Sequence, residues 1–277
     1  MSEIFKMASL FFPLLLLTGF GIWYLYGQIY KIAVIKYTFP VSGLPEEFHG
    51  FTLLHLSDLH SKSFGKGQKN LLEVIRRQSY DIAVITGDLV NRMKPETQPV
   101  FQLLAGIEKP VYFVPGNHEW ETRPSVREAI LSAPGVLLQN RAEKLVRGKR
   151  HIWIAGIDDQ NSKKDSLEQA LREVRDEAPV ILLAHEPDIF DGAAAENVDL
   201  VLAGHTHGGQ VRLPFIGALL APDQGLFPKY DRGLYVSGSS GMIISSGLGE
   251  SLLPLRFNNP PEILLITLTG NEQAVPL

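Results

Sequence analysis

The sequence predicts an α/β protein, because short, evenly apolar runs alternate along most of its 277 residues with segments whose apolar positions recur at helical spacing. Position gives a second indication: side chains able to bind metal or move protons follow the ends of those apolar runs, the edge at which open α/β sheets assemble their sites. A third feature sets the amino end apart, where 24 residues from Met7 to Tyr30 carry no formal charge.

That uncharged stretch lies between Lys6 and Lys31 and, as a helix, is long enough for a hydrocarbon core of about 30 Å. Trp23, Tyr24, Tyr26 and Tyr30 gather at its downstream end, where amphipathic rings favour the headgroup layer, and no small-residue cleavage site follows it. Residues 1–36 are therefore expected to be a single-pass membrane anchor. Lys6 on one side nearly balances Lys31 and Lys36 on the other, so charge does not select a membrane face. Residues 37–50, rich in proline and glycine, read as a linker, and residues 51–277 as one α/β domain.

Within the domain the expected strands are 51–56, 81–86, 110–114, 151–157, 179–184, 198–203, 233–238 and 262–268. Several are apolar at every position, which predicts sheets covered on both faces. Helical stripes fall on Leu71, Leu72 and Ile75, and on Leu167, Ala170, Leu171 and Val174. The apolar runs 212–222 and 240–254 are expected to be loops beside the site, with a character suited to acyl chains. The balance of 26 basic and 30 acidic residues, without a basic run, disfavours a nucleic-acid partner. The absence of cysteine excludes disulfides, thiolate metal sites and a thiol nucleophile.

The strand ends supply Asp58 and His60 from "SDLH", Asp88 from "GDLVN", Asn117 and His118 from "GNHE", His185 from "AHEPD", and His205 and His207 from "GHTHGGQ". Intervals of about 30 residues from Asp58 to Asp88 and on to Asn117 suit successive strand-helix-strand units. Carboxylates, imidazoles and one amide oxygen, without sulfur, suit divalent or trivalent manganese, iron or zinc. The inventory is large enough for two ions, and a shared carboxylate would set them about 3.5–4 Å apart. The remaining histidines, His49, His55 and His151, read as structural.

The ordered motifs D-x-H, G-D-x-x, G-N-H-E, H and G-H-x-H resemble those of the calcineurin-like metallophosphoesterases, over the whole stretch from Phe51 onward. With the amino-terminal apolar segment and the late "LRFNNPPEI", the chain is similar more narrowly to a membrane-anchored bacterial phosphodiesterase branch, related to UDP-2,3-diacylglucosamine pyrophosphatase-like enzymes. The resemblance implies a four-layer α/β/β/α sandwich of two mixed sheets, the metallo-dependent phosphatase fold. It also implies hydrolysis of phosphodiesters or pyrophosphates, of envelope or lipid-linked substrates, with two ions, manganese favoured. Alternatives are a UDP-2,3-diacylglucosamine diphosphatase-type activity of lipid A synthesis, a phosphomonoesterase, and a silent metal-binding membrane scaffold.

Carried onto this sequence, the resemblance implies that Asp58, His60 and His207 hold one ion, Asn117, His185 and His205 the other, and Asp88 both. It casts His118 as the group that protonates the leaving group or steadies the transition state. Asn91 stands where several relatives have an aspartate partner for that histidine; it can orient the ring but cannot raise its pKa as a carboxylate would. Arg92 offers a fork of donors for a phosphate.

Overall fold

The computed structural model describes residues 3–250 and 255–270. Its helices are α1 (Glu3–Tyr30), α2 (Lys69–Arg76), α3 (Gln98–Gly106), α4 (Asn117–Glu121), α5 (Pro124–Leu131), α6 (Leu167–Leu171) and α7 (Phe190–Ala195). The strands are β1 (Ala33–Val41), β2 (Thr52–Leu56), β3 (Ile82–Thr86), β4 (Val111–Val114), β5 (Val136–Leu137), β6 (Arg141–Arg147), β7 (Arg150–Gly156), β8 (Val180–Leu183) and β9 (Leu200–Ala203). They continue with β10 (Arg212–Leu213), β11 (Gly217–Ala218), β12 (Leu220–Ala221), β13 (Gly225–Leu226), β14 (Gly233–Ser237), β15 (Ser240–Ile244) and β16 (Glu262–Gly270).

Two mixed six-stranded sheets result, ordered β1-β16-β2-β3-β4-β5 and β14-β15-β9-β8-β7-β6. The apolar strands β3, β8 and β9 are buried at every residue, as the covered sheets required, and so is β15 although it opens on Ser240 and Gly241. One apolar cluster joins the inner faces, with Leu53, Val84 and Ile266 from the first sheet against Ile154, Ile181, Leu202 and Ile243 from the second. A second lies between the first sheet and the stripe Leu71, Leu72 and Ile75 of α2, with Leu103 of α3 and Ile130 of α5. A third places Ala170 of α6 and Phe190 and Ala193 of α7 on the outer face of the second sheet. The order of layers is helix, sheet, sheet, helix.

Three segments depart from the sequence-based expectation. Residues 33–41, divided there between anchor and linker, form the edge strand β1, paired in parallel with β16 over nine residues from Ala33↔Glu262 to Val41↔Gly270. Proline at an edge position costs no ladder bond, which is why Pro40 does not break it. Strand β6, "RAEKLVR", is charged because it too is an edge. Of the run expected as a loop over 240–254, Ser240–Ile244 is the interior strand β15; its flanking serines and glycines concealed it. Residues 251–254 of that run lie outside the described residues.

The helix expected at the amino end is present as α1, but among the described residues no helix is long and apolar enough to cross a membrane. The spanning anchor is corrected accordingly. The downstream turns of α1 are bound to the domain: the Tyr24 hydroxyl donates to Asn258 Oδ1 at 2.5 Å and the Asn259 N–H to Gln28 Oε1 at 2.9 Å. Lys62 Nζ caps the helix by donating to the Ile29 carbonyl at 2.7 Å. Upstream of these contacts Leu15, Leu16, Leu17, Phe20 and Trp23 are each at least 60% exposed.

Candidate metal centre

The site forms where the carboxyl ends of β2, β3 and β4 in one sheet meet those of β8 and β9 in the other. Asp58 and His60 follow β2, Asp88 follows β3, Asn117 and His118 open α4 after β4, His185 follows β8, and His205 and His207 follow β9. All eight are at least 92% buried. Asp58, His60, Asp88, His205 and His207 have φ between 50° and 68°, a left-handed conformation that costs side-chain-bearing residues energy. Such residues cluster where the surroundings hold them for a purpose.

Glycine makes the approach possible. A Cβ on Gly204 would stand 1.9 Å from Ser57 Oγ and 2.5 Å from Asp58 Oδ2, and one on Gly116 2.4 Å from Asp88 Oδ1. The carboxylates are held by donors: Asp58 accepts from Ser57 Oγ at 2.5 Å and from the His205 N–H at 3.1–3.2 Å, and Asp88 Oδ1 accepts the His118 N–H at 2.9 Å. Burial alone would raise both pKa values, but the surrounding imidazoles, His207 beside Asp58 and His185 beside Asp88, hold both carboxyls below the ordinary range.

Donor atoms of Asp58, His60 and His207 converge within 4.8 Å, as do those of Asp88, His185 and His205, and of His60, Asp88 and His118. The outward ring nitrogens explain the inward ones. His185 Nδ1 donates to the Thr86 carbonyl at 2.7 Å, His205 Nε2 lies 2.7 Å from Asp223 Oδ2, and His60 Nδ1 lies 3.1 Å from His118 Nδ1. A neutral ring whose outer nitrogen carries the proton offers its inner nitrogen's lone pair to a cation. The inner nitrogens meet in pairs, His60 Nε2 to His207 Nε2 at 3.0 Å and His185 Nε2 to His205 Nδ1 at 3.1 Å. Buried lone pairs facing one another repel, and a cation between them relieves that repulsion; the side-chain oxygen of Asn117, buried and without a hydrogen-bond partner, adds a neutral donor. The residues fit a metal centre.

His118 stands beside this set, its Nε2 3.8 Å from Asp88 Oδ2. Its Nδ1 accepts the Arg92 N–H at 3.2 Å, and the side-chain Oδ1 of Asn91 accepts the N–H groups of Met93 and Lys94 at 2.9 and 3.2 Å. Orientation of the ring, expected from Asn91, comes in part from the next residue's backbone. Arg92 Nη1 pairs with Glu121 Oε2 at 2.6 Å at the mouth. His55, bonded to Thr86 Oγ1 at 2.8 Å inside the sheet, and His151, 3.0 Å from Asp176, sit away from the cluster.

Sequence reasoning missed Glu119. Its carboxylate, fully buried, accepts the N–H groups of Asp88, Val90 and Gly116 at 2.8–3.1 Å, binding the β3 and β4 loops together. Burial and the charge of Asp88 push its pKa up to about 8. A glutamate three residues after a helix-opening glycine is a capping signal that would have found it. Likewise the fully buried Arg256 of "LRFNNPPEI" donates to the carbonyls of Ser246, Gly247, Gly249 and Asn259, while Asn259 Nδ2 donates to the His207 carbonyl at 2.7 Å.

The centre floors a cavity of about 700 Å³. Arg92, Glu121, Asn161 and Asp223 line its polar side, and Val211, Leu219, Leu220, Ala221, Pro222 and Leu255 its apolar side. Beyond the apolar side the hairpins β10–β11 and β12–β13 carry Phe215, Ile216, Leu226 and Phe227, all exposed.

A family model described as calcineurin-like phosphoesterase matches residues 51–209. An uncharacterized metallophosphoesterase of Bacillus subtilis, YkuE, is 32% identical over 259 residues, covering 89% of this chain and 89% of that protein. An uncharacterized metallophosphoesterase of Aquifex aeolicus is 31% identical, covering 88% and 94%. A protein of Danio rerio described as a transmembrane protein with metallophosphoesterase domain is 31% identical, covering 85% of this chain and 57% of its own length.

Proposed function

Since the chain belongs to the calcineurin-like phosphoesterase family and is a metal-dependent phosphoester hydrolase, we propose that it works with two ions on phosphodiesters or pyrophosphates that carry an apolar group. The observation that supports two ions is the pair of inward-facing donor sets sharing one carboxylate: Asp58, His60 and His207 on one side, Asn117, His185 and His205 on the other, Asp88 between. Bound there, manganese, iron or zinc would supply Lewis acidity toward phosphoryl oxygens and a water acidic enough to attack at neutral pH.

The chain's own residues supply the rest. With Nδ1 accepting the Arg92 N–H and burial holding its pKa down to about 4, the His118 ring is neutral and carries its one proton on Nε2, placed to donate a hydrogen bond to the charge that develops on the leaving oxygen. Arg92, paired with Glu121 and exposed at the mouth, is placed to turn to a phosphate oxygen with two parallel donors. The buried ends of both sheets exclude water behind the ions. The apolar wall favours a substrate whose alcohol or diphosphate partner bears hydrocarbon. The exposed apolar upstream part of α1, with the description of the zebrafish relative, favours placing that end of the molecule at a lipid surface.

Asp88→Asn tests the two-ion reading. The substitution keeps shape and removes the shared charge, so bound metal is expected to fall below two ions per chain and turnover of bis-p-nitrophenyl phosphate by at least about 100-fold. Two tightly bound ions and near-normal turnover in the variant would refute it.

A further inference from the structure

We propose that Asp223, which lies beyond the matched family segment, is a positioning residue for the metal centre, holding His205 in the orientation and tautomer that bind the second ion. This rests on the reading of His205 as a ligand. The His205 ring has only two nitrogens, and Nδ1 is turned inward to within 3.1 Å of His185 Nε2. The opposite nitrogen, Nε2, meets Asp223 Oδ2 at 2.7 Å. A carboxylate accepting the outer N–H fixes which nitrogen keeps its lone pair, sets the ring plane, and makes the inner nitrogen a stronger donor.

The turn that delivers this carboxylate is built for it. Asp223 sits between β12 and β13 with φ at +57°, and Gly225 follows at +68°, so the chain reverses within a few residues. Gln224 anchors the turn through both ends of its amide, donating to the Tyr230 carbonyl and accepting the Tyr230 N–H, each at 2.9 Å. Asn161, from the loop after β7, donates to the same Asp223 Oδ2 at 2.9 Å. Leu220, Ala221 and Pro222, immediately before Asp223, form the apolar side of the cavity. One short hairpin therefore braces a metal ligand and shapes the space for the substrate's apolar group, which ties ion binding to the position of the hairpin.

The test compares Mn²⁺ affinity, by competition with a chromogenic chelator at fixed pH, for the wild-type chain and for His205→Ala, Asp223→Asn, Asp223→Ala and Asp223→Glu. Expected are loss of one tight ion in His205→Ala, a dissociation constant raised about 10- to 100-fold for one ion in Asp223→Ala, a smaller rise in Asp223→Asn, and partial recovery in Asp223→Glu. The other ion's affinity and the thermal midpoint of the metal-free protein should stay at wild-type values, which separates positioning from loss of fold; a lowered midpoint in Asp223→Ala leaves the near-isosteric Asp223→Asn to decide. If His205→Ala loses an ion while both Asp223→Asn and Asp223→Ala bind two as tightly as wild type, the role of Asp223 is refuted and His205 remains a ligand. If His205→Ala itself keeps two tight ions, the ligand reading fails first.

Discussion

His118 carries a chemical role that depends on what leaves. An alkoxide departing from an ordinary phosphodiester is a strong base, so an Nε2–H hydrogen bond to its developing charge in the transition state contributes about 10² to 10³ in rate. A p-nitrophenolate departs without help. His118→Ala should therefore slow an alkyl or sugar diester far more than the nitrophenyl ester at unchanged metal content; equal losses, measured on both esters, would make the residue a binding group. A second residue sets a pH dependence. Burial and the neighbouring Glu186 push the Asp159 carboxyl up to about 7, so the folded protein holds a proton there that the unfolded chain releases near 4. The stabilisation is complete below the unfolded pKa and disappears as pH rises through about 7, the sense required for a raised pKa. Denaturant titrations of the metal-free protein at pH 4 to 8 should show that decline, on the order of 2 kcal/mol given partial screening, and Asp159→Asn should flatten it. The sequence disclosed the inward-facing residues because aspartate and histidine at strand ends are chemically conspicuous. It hid Glu119 and Asp223, whose significance lies in the partners that folding brings to them.

At the scale of elements, Gly204 at the end of β9 makes the closest approach of any described glycine to a neighbouring element. Gly204 admits Ser57 and Asp58 to a distance that no side chain permits, so Gly204→Ala must separate the β9 and β2 ends. A loss of about 1–3 kcal/mol is expected, as for other overpacked interiors, together with weaker retention of metal. Chemical denaturation with parallel metal analysis checks both, and a variant as stable and as metal-replete as wild type would mean that the loops yield freely. Strands with uniform apolar sequences, β3, β8 and β9, were legible because period and composition agree with burial on two faces. Strands β6 and β15 were not. A charged edge strand and a strand that opens on serine and glycine take their identity from the neighbours they pair with, β7 for one, and for the other β14 together with β9, which is distant in sequence.

The whole molecule is closed by its ends. Strand β1 covers β16, and Phe39 and Val41 reach the core between the sheets, so the domain begins before the first metal motif. A chain starting at Lys31 should fold, remain monodisperse in size-exclusion chromatography and hydrolyse bis-p-nitrophenyl phosphate within about 3-fold of the full chain. On a phosphodiester lipid in vesicles it should be at least about tenfold slower. A chain starting at Phe51, without β1, should aggregate through the bared edge of β16. Full activity of the shorter chain would show that β1 is an ornament of the sheet. The four layers themselves were readable from the alternation of elements and, in detail, from the family resemblance; the boundary at 33–41 was not, because an edge strand next to an apolar helix looks like the tail of that helix.

The parallel register of β1 and β16 also decides how the molecule bears tension. A force drawn through α1 enters β1 at Ala33, and the chain leaves β16 at the opposite end, beside Val41. Such a load runs along the two strands in opposite senses and engages the whole nine-residue ladder at once, whereas pulling them apart from one end would break its bonds one after another. An enzyme gripped by its amino-terminal helix on a moving or turbulent surface would thus strain a joint that fails only as a unit, leaving the sheet ends that carry Asp58 and Asp88 undisturbed until it does.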